Sequence, residues 1–339
     1  MEKIVLDTAI KFGAGRYRQE QGLLEQCGEE VKRFRNTHGG RSLDYTLQVK
    51  AGVPYDIELD FEYFRSDAQL NFDIGFKQKV NIDASVACVK DADVVVFAGG
   101  ISPLLEGEEM GVNLPGFKGG DRTDIELPAV QRELIHALHR AGKKIILVNC
   151  SGSPIALEPE TKNCEAILQA WYPGQAGGTA VADVLFGDYN PGGRLPVTFY
   201  RNMSQLPDFE DYNMTGRTYR YMTQQPLFPF GYGLSYTTFG YGNLSLAKEQ
   251  IKVGEPLKLT VNVTNNGQRD GEEVVQVYLK KQDDAEGPGK TLRAFKRVRI
   301  PAGKSVEVAF DLNGKELEWW DAQSFLVNGS LELNEDENN

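Results

Sequence analysis

The sequence has little of the material that metal sites and disulfide frameworks require. Its 339 residues include only three histidines and four cysteines. The cysteines, Cys27, Cys88, Cys150 and Cys164, have no CxxC spacing, which argues against a zinc site. We expect buried thiols, with a Cys150–Cys164 disulfide as the alternative.

Long apolar runs and an excess of positive charge are also missing. Hydrophobic residues make up 41% of the chain and the mean hydropathy is -0.39. No segment approaches the roughly 20 apolar residues of a membrane span. The first residues include Glu2 and Asp7, so we expect no secretory signal there. The net charge of -11 argues against a nucleic-acid partner and favours a neutral one.

Three segments of different hydrophobic period follow one another, and the length suggests two or three domains. Residues 1–82 alternate apolar and polar side chains, best seen at Thr46–Gly52 and Tyr55–Tyr63. Alternation with period two predicts antiparallel strands, and this segment is short for an independent β-sandwich.

The middle segment, residues 83–242, predicts a mainly parallel α/β sheet. Val94–Ala98 and Lys144–Val148 are short β-branched runs typical of strands covered on both faces. Between them, apolar spacing of three and four predicts a helix that begins near Pro128 and ends by Gly142. The segment continues with a strand at 166–171, a helix at 178–186 and an edge strand at 195–199.

The last segment, residues 247–333, returns to period two and predicts a small β-sandwich. Leu257–Gly267 and Glu273–Leu279 are its clearest strands, and the Asn266–Gly267 pair indicates a turn between them. Further strands are predicted at 298–300 and 306–310.

Acidic residues follow the first strand of the α/β segment, where open sheets place their sites. Glu106, Glu108 and Glu109 come first, and Asp121 and Arg122 follow. Three neighbouring glutamates repel one another, which can raise the pKa of one towards the range of a general acid. Glu106 is the candidate, and a solvated acidic loop is the alternative.

Two further clusters have alternative interpretations. Glycines at 174–178 invite a phosphate-binding interpretation, as in a flavodoxin-like protein, but no GxGxxG or P-loop pattern accompanies them. Tight turns and close helix packing account for them. The aromatics between Tyr219 and Tyr241 either stack on sugars or form a linker packed between two domains, and the linker interpretation is preferred.

Several motifs in the middle segment resemble glycoside hydrolase family 3. The resemblance covers residues 83–330 and rests on Pro173–Gly178, Ala182–Phe199 and Phe228–Phe239, the last of which leads in that family into a fibronectin type III-like domain. Gly216–Tyr221 resembles the xylosidase branch. Residues 1–82, through Tyr55–Leu59, resemble the latter part of a PA14 domain, a β-sandwich that some members carry as an insertion.

The resemblance implies a retaining β-glycosidase, either a xylan 1,4-β-xylosidase or a β-glucosidase, that acts on β-linked oligosaccharides or glycosides without a cofactor or a metal. Glu106 would be the general acid/base, with Glu108 or Glu109 as fallbacks. Asp121 and Arg122 would contact the substrate. A segment that looks inserted at 111–119 leaves the register of this loop open by a few residues.

The family's nucleophile is an aspartate on a TIM barrel, and no such barrel fits in this chain. We therefore expect this chain to be inactive alone, as a truncated product or as one half of a split enzyme whose barrel is a separate chain. The family is often periplasmic or secreted. The alternative function is a non-catalytic carbohydrate-binding or scaffolding remnant.

Overall fold

The computed structural model describes most of the chain from residue 79 onward. The described ranges are 79–106, 112–119, 121–252, 254–282 and 284–318, together with the backbone of four strands outside them. Within these ranges, no helix combines the length and the apolar character that crossing a membrane requires.

Three of those four strands form an antiparallel sheet near the N-terminus. They are β1 (Gln21–Gln26), β2 (Glu29–Arg35) and β3 (Ile57–Glu62), in the order β2-β1-β3. The strand predicted at Tyr55–Tyr63 is therefore confirmed, whereas the one predicted at Thr46–Gly52 lies outside the described residues.

The middle segment alternates strands and helices. In chain order its elements are α1 (Ile82–Cys88), β4 (Val94–Gly100), α2 (Pro103–Glu106), β5 (Asn113–Leu114), β6 (Phe117–Lys118), β7 (Asp121–Arg122), α3 (Ala129–Arg140), β8 (Lys144–Cys150), α4 (Glu160–Asn163), β9 (Ala166–Gln169), α5 (Gly177–Phe186) and α6 (Thr218–Tyr221).

Strands β4, β8 and β9 form a parallel sheet in that order, as predicted. The edge strand predicted at 195–199 is wrong: of that stretch only Phe199 forms a bridge, to Phe228. Pro196 and Pro229 lie in the two facing stretches, and a proline has no N–H to donate to a strand ladder. The predicted helices are confirmed as α3 and α5.

Helix α3 covers one face of the parallel sheet. Ile135 and Leu138 from the helix pack with Ile145 and Leu147 from β8, and all four are buried. The other face is open at the edge strand, where Val94 and Val96 are 45% and 52% exposed. The expectation that β4 is covered on both faces is therefore wrong, because an apolar run shows what a strand can bury and not what covers it.

The C-terminal segment is a β-sandwich of two three-stranded antiparallel sheets, ordered β10-β11-β14 and β13-β12-β15. Apolar side chains from β11, β12 and β14 fill the space between the sheets. The turn after β11 crosses from one sheet to the other, so β11 and β12 do not form a hairpin. The elements are β10 (Phe239–Leu246), β11 (Leu257–Asn265), β12 (Gly271–Lys281), β13 (Thr291–Ile300), β14 (Ser305–Leu312), α7 (Gly314–Leu317) and β15 (Gly329–Glu332).

An aromatic cluster and a buried ion pair join the α/β segment to the sandwich. Tyr219 stacks on Phe230 with ring centroids 4.3 Å apart, and both rings contact Tyr278 of β12. Arg194 forms an ion pair with Glu273 at 2.5 Å, and their side chains are only 9% and 3% exposed. The interpretation of the aromatics as packing between two domains is confirmed for this cluster.

The cysteines depart in part from the expectation of buried thiols. Cys88, Cys150 and Cys164 are free, and Cys88 is exposed at the end of α1, so the expectation is wrong for that residue. Cys27 lies outside the described residues. Burial raises the pKa of the partly buried Cys164 to about 11, and the nearby Glu160 adds to the shift, which keeps this thiol protonated and unreactive near neutral pH.

Arg194→Ala should destabilise the protein, because it leaves the carboxylate of Glu273 buried without this cation. We expect the free energy of unfolding, measured with urea, to fall by about 3 kcal/mol. The matched control is Arg299→Ala, which removes an exposed ion pair with Asp270 and should leave stability unchanged within error. Equal losses in the two variants would contradict this account of the domain junction.

Candidate active site

The chain leaves β4 through a glycine that no other residue can replace without strain. Gly100 has φ of 124°, and a Cβ there would lie 1.9 Å from the carbonyl oxygen of Cys150 on the neighbouring strand. The side chain of Gln131 on α3 accepts from Gly100 N and donates to Gly100 O, both at 2.7 Å. This exit leads directly into α2, whose last residue is Glu106.

Both carboxylate oxygens of Glu106 accept a hydrogen bond from a hydroxyl group. The Ser153 hydroxyl donates to Oε1 at 2.6 Å, and the Tyr172 hydroxyl donates to Oε2 at 2.6 Å. Ser153 follows β8 and Tyr172 follows β9, so the three residues come from the carboxyl ends of three adjacent parallel strands. Two contacts from separate loops hold the carboxylate in one orientation.

Arg122 of β7 joins this network from the other side. Its Nη1 donates to the Ser153 hydroxyl and to the Pro154 carbonyl, each at 3.0 Å. Burial lowers the pKa of Arg122, although the neighbouring carboxylates of Glu106 and Asp124 oppose that shift. Its Nε and Nη2 are buried and have no hydrogen-bond partner among the described residues.

The Tyr172 phenol stays protonated over the physiological range. Burial, first, and the hydrogen bond to Glu106, second, raise the pKa of Tyr172 to about 12. The approach of its ring requires a glycine at position 152, because a Cβ there would lie 2.6 Å from Cε2 of Tyr172 and 3.1 Å from Oε2 of Glu106. Tyr172 is therefore a hydrogen-bond donor, 39% exposed, at the open side of the carboxylate.

The residues singled out from the sequence are only partly brought together. Glu106 and Arg122 share Ser153 as a partner, while the exposed Asp121 takes no part in this network. Glu108 and Glu109 lie outside the described residues. Sequence reasoning missed Ser153 and Tyr172. The acidic loop was found by the rule that sites follow the carboxyl ends of parallel strands, and the same rule applies to the segments after β8 and β9.

Of the glycines at 174–178, Gly174 lies in the turn before α5, whereas Gly177 and Gly178 form its first turn. A Cβ on Gly177 would lie 2.3 Å from Pro173, whereas Gly174 and Gly178 have no neighbour within 4 Å of that position. As for metals, the described residues contain no cluster of three or more His, Cys, Asp or Glu side chains able to hold an ion.

Family models match two parts of the chain. The model of the glycosyl hydrolase family 3 C-terminal domain matches residues 8–236, and that of the fibronectin type III-like domain matches residues 273–330. The first match begins at residue 8, so it spans the N-terminal strands as well as the parallel sheet.

Two curated relatives and a solved structure agree with the family models. A xylan 1,4-beta-xylosidase of Xylanibacter ruminicola is 53% identical over 279 residues, covering 82% of this chain and 32% of that protein. A periplasmic beta-glucosidase of Salmonella typhimurium is 38% identical over 257 residues, covering 71% of this chain and 32% of that protein. The solved structure of the β-glucosidase EmGH1 of Erythrobacter marinus superposes with a TM-score of 0.63 and 37% identity, covering 75% of this chain and 35% of that one.

This chain thus spans about a third of the length of the relatives it matches. The first family-model match contains the parallel sheet and the network around Glu106, and the second falls within the C-terminal sandwich. Because the family model covers more than half of the chain, the chain belongs to glycoside hydrolase family 3, and it contains that family's C-terminal α/β domain and fibronectin type III-like domain.

Proposed function

We propose that this chain supplies the acid/base glutamate to a retaining β-glycosidase that releases terminal β-linked sugars, as a β-xylosidase or a β-glucosidase. The observation that carries the proposal is the Glu106 carboxylate, fixed by two hydroxyl donors at the carboxyl edge of the parallel sheet. Relatives that match most of this chain are named as enzymes of both kinds.

The proposed chemistry needs one carboxyl group here and one from a separate part of the enzyme. Glu106 would give a proton to the departing glycosidic oxygen while an aspartate nucleophile attacks the anomeric carbon. In the second step Glu106 would take a proton from the water that cleaves the glycosyl-enzyme bond. We propose that this nucleophile lies on a TIM barrel outside this chain, either in a longer polypeptide or in a partner chain.

The exposure of Tyr172 favours one direction of approach for the sugar. Both Glu106 oxygens accept hydrogen bonds in this structure, so the protonated carboxyl group must donate to the glycosidic oxygen from an oxygen that a hydroxyl already binds. Ser153 also accepts from Arg122, whereas Tyr172 is 39% exposed. The substrate would therefore reach Oε2 from the Tyr172 side.

Arg122 and Asp121 are the proposed sugar-binding residues. Arg122 has two nitrogens, Nε and Nη2, without an acceptor among the described residues, and a sugar hydroxyl would supply one. Asp121 is exposed next to it on β7 and can accept from a second hydroxyl.

For residues 1–82 we propose the end of a PA14-like insertion. The antiparallel sheet of β1, β2 and β3 is the kind of structure that such a β-sandwich contains. In this proposal the inserted domain shapes or covers the sugar site.

Glu106→Gln should abolish hydrolysis in a way that azide reverses. The test uses a hybrid in which this chain replaces the matched region of the Xylanibacter ruminicola enzyme, with the chain alone as a reference. We expect kcat/KM for xylobiose to fall by about 10³-fold, because proton donation is lost. Azide should restore turnover of nitrophenyl β-xyloside or β-glucoside, because a small anion can attack the glycosyl-enzyme without a base.

Glu108→Gln and Glu109→Gln are the matched controls for this experiment. Rescue by azide in one of them and not in Glu106→Gln would move the acid/base role to that residue. An unsubstituted hybrid that binds xylose oligosaccharides but hydrolyses none would contradict the enzyme proposal and favour a carbohydrate-binding remnant.

Arg122→Met should weaken substrate binding, because it keeps much of the apolar stem and removes every donor. We expect KM for xylobiose in the hybrid to rise by about tenfold, the size of one hydrogen bond to a charged group. Arg299→Met, an exposed arginine of the sandwich, serves as control and should leave KM unchanged. An unchanged KM in Arg122→Met would remove Arg122 from the sugar site.

A further inference from the structure

The residue before Tyr172 has an unusual backbone conformation. Trp171 has a φ of 56°, in a region that residues other than glycine rarely adopt. The Trp171 ring packs edge-on against Phe199, with centroids 6.1 Å apart, and Phe199 is 1% exposed. Backbone strain of this kind persists only where the surrounding packing holds it, and it is common beside functional sites. It therefore points to a functional role for the neighbouring Tyr172.

A hydrogen-bonded amide pair, the buried Asn149 and the half-buried Gln169, joins the two strand ends that Ser153 and Tyr172 follow. Asn149 of β8 and Gln169 of β9 are neighbours in register, and Asn149 Nδ2 donates to Gln169 Oε1 at 2.6 Å. Both side chains also donate to the Ser151 hydroxyl at 3.2 Å, and Asn149 and Ser151 are fully buried. These hydrogen bonds therefore fix the positions of the two loops relative to each other at the point where the loops leave the strands.

The space around Tyr172 is shaped for this contact. Any side chain at position 152 would collide with the Tyr172 ring and come within 3.1 Å of the Glu106 oxygen that it binds. Gly152 lies against both Tyr172 and Glu106, while the amides and Trp171 lie on the segments that lead to Ser153 and Tyr172. A tyrosine that only packed on the surface would need none of them.

We propose that Tyr172 is a positioning residue that orients the Glu106 carboxylate for proton transfer, with the Asn149–Gln169 pair and the strained Trp171 holding it in place. The inference rests on the proposed acid/base function of Glu106. The Tyr172 hydroxyl binds Oε2 and remains a donor, because its own proton is retained well above neutral pH. It acts through Glu106 and does not itself transfer the proton.

Tyr172→Phe in the hybrid should impair only the steps that need proton transfer. We expect kcat/KM for xylobiose to fall by about tenfold, because a misoriented acid donates poorly. The value for 2,4-dinitrophenyl xyloside, whose leaving group departs without a proton, should change by less than about twofold.

Tyr189→Phe is the matched control, since Tyr189 is another exposed tyrosine that donates to a carboxylate, at 3.0 Å to Glu272 in the sandwich. It should leave the ratio of the kcat/KM values for the two substrates unchanged. Equal losses for both substrates in Tyr172→Phe would overturn the inference while azide rescue of Glu106→Gln left the proposed function intact. A lack of that rescue would instead overturn the proposed function.

A measurement on the full chain alone tests the contact without activity. With ¹³C-labelled tyrosine, assigned by its loss in Tyr172→Phe, the Tyr172 ring should titrate with a midpoint of about 12. In Glu106→Gln the midpoint should fall, because the negative charge that opposes phenolate formation is gone. The same midpoint in both proteins would overturn the inference.

Discussion

Parallel strands end at the same edge of a sheet, and the residues around Glu106 depend on this constraint. Glu106 follows β4, Ser153 follows β8 and Tyr172 follows β9, and the three strands are neighbours in that order. Their hydroxyl and carboxylate groups meet because their strand ends are adjacent. Hydrogen bonds to a charged group contribute about 1.5–3 kcal/mol each, so the arrangement also stabilises the loops that carry it.

Helix α3 is hydrogen-bonded to segments next to the same edge of the sheet. Its Arg132 donates to Glu160, which is fully buried, and to Glu126 and the Ala156 carbonyl. Burial works against the charge of Arg132, but its hydrogen bonds to the two carboxylates raise its pKa overall. One guanidinium group thus joins the segment before α3 to the segment after Ser153. The helix that forms the core also limits how far the site loops can move.

Much of the fold follows from hydrophobic period, whereas much of the site does not. The strands at 94–100 and 144–150 and the helix at 129–140 match the predicted runs, because burial imposes a period that the sequence displays. Glu106 was found because it follows a strand. Ser153 and Tyr172 carry no pattern of their own, and their contacts with Glu106 span 47 and 66 residues of chain. Whether a face of β4 is buried depends on which other elements pack against it, and the local sequence pattern does not contain that information.

The most direct test of the central claim is a crystal structure of the hybrid enzyme with a thio-linked xylobioside, whose bridging sulfur resists hydrolysis. The account predicts that Glu106 Oε2 lies within about 3.5 Å of that sulfur and that Tyr172 borders the same side of the carboxylate. A structure in which Glu108 or Glu109 faces the sulfur, with Glu106 still bound to Ser153 and Tyr172 away from the sugar, would contradict it.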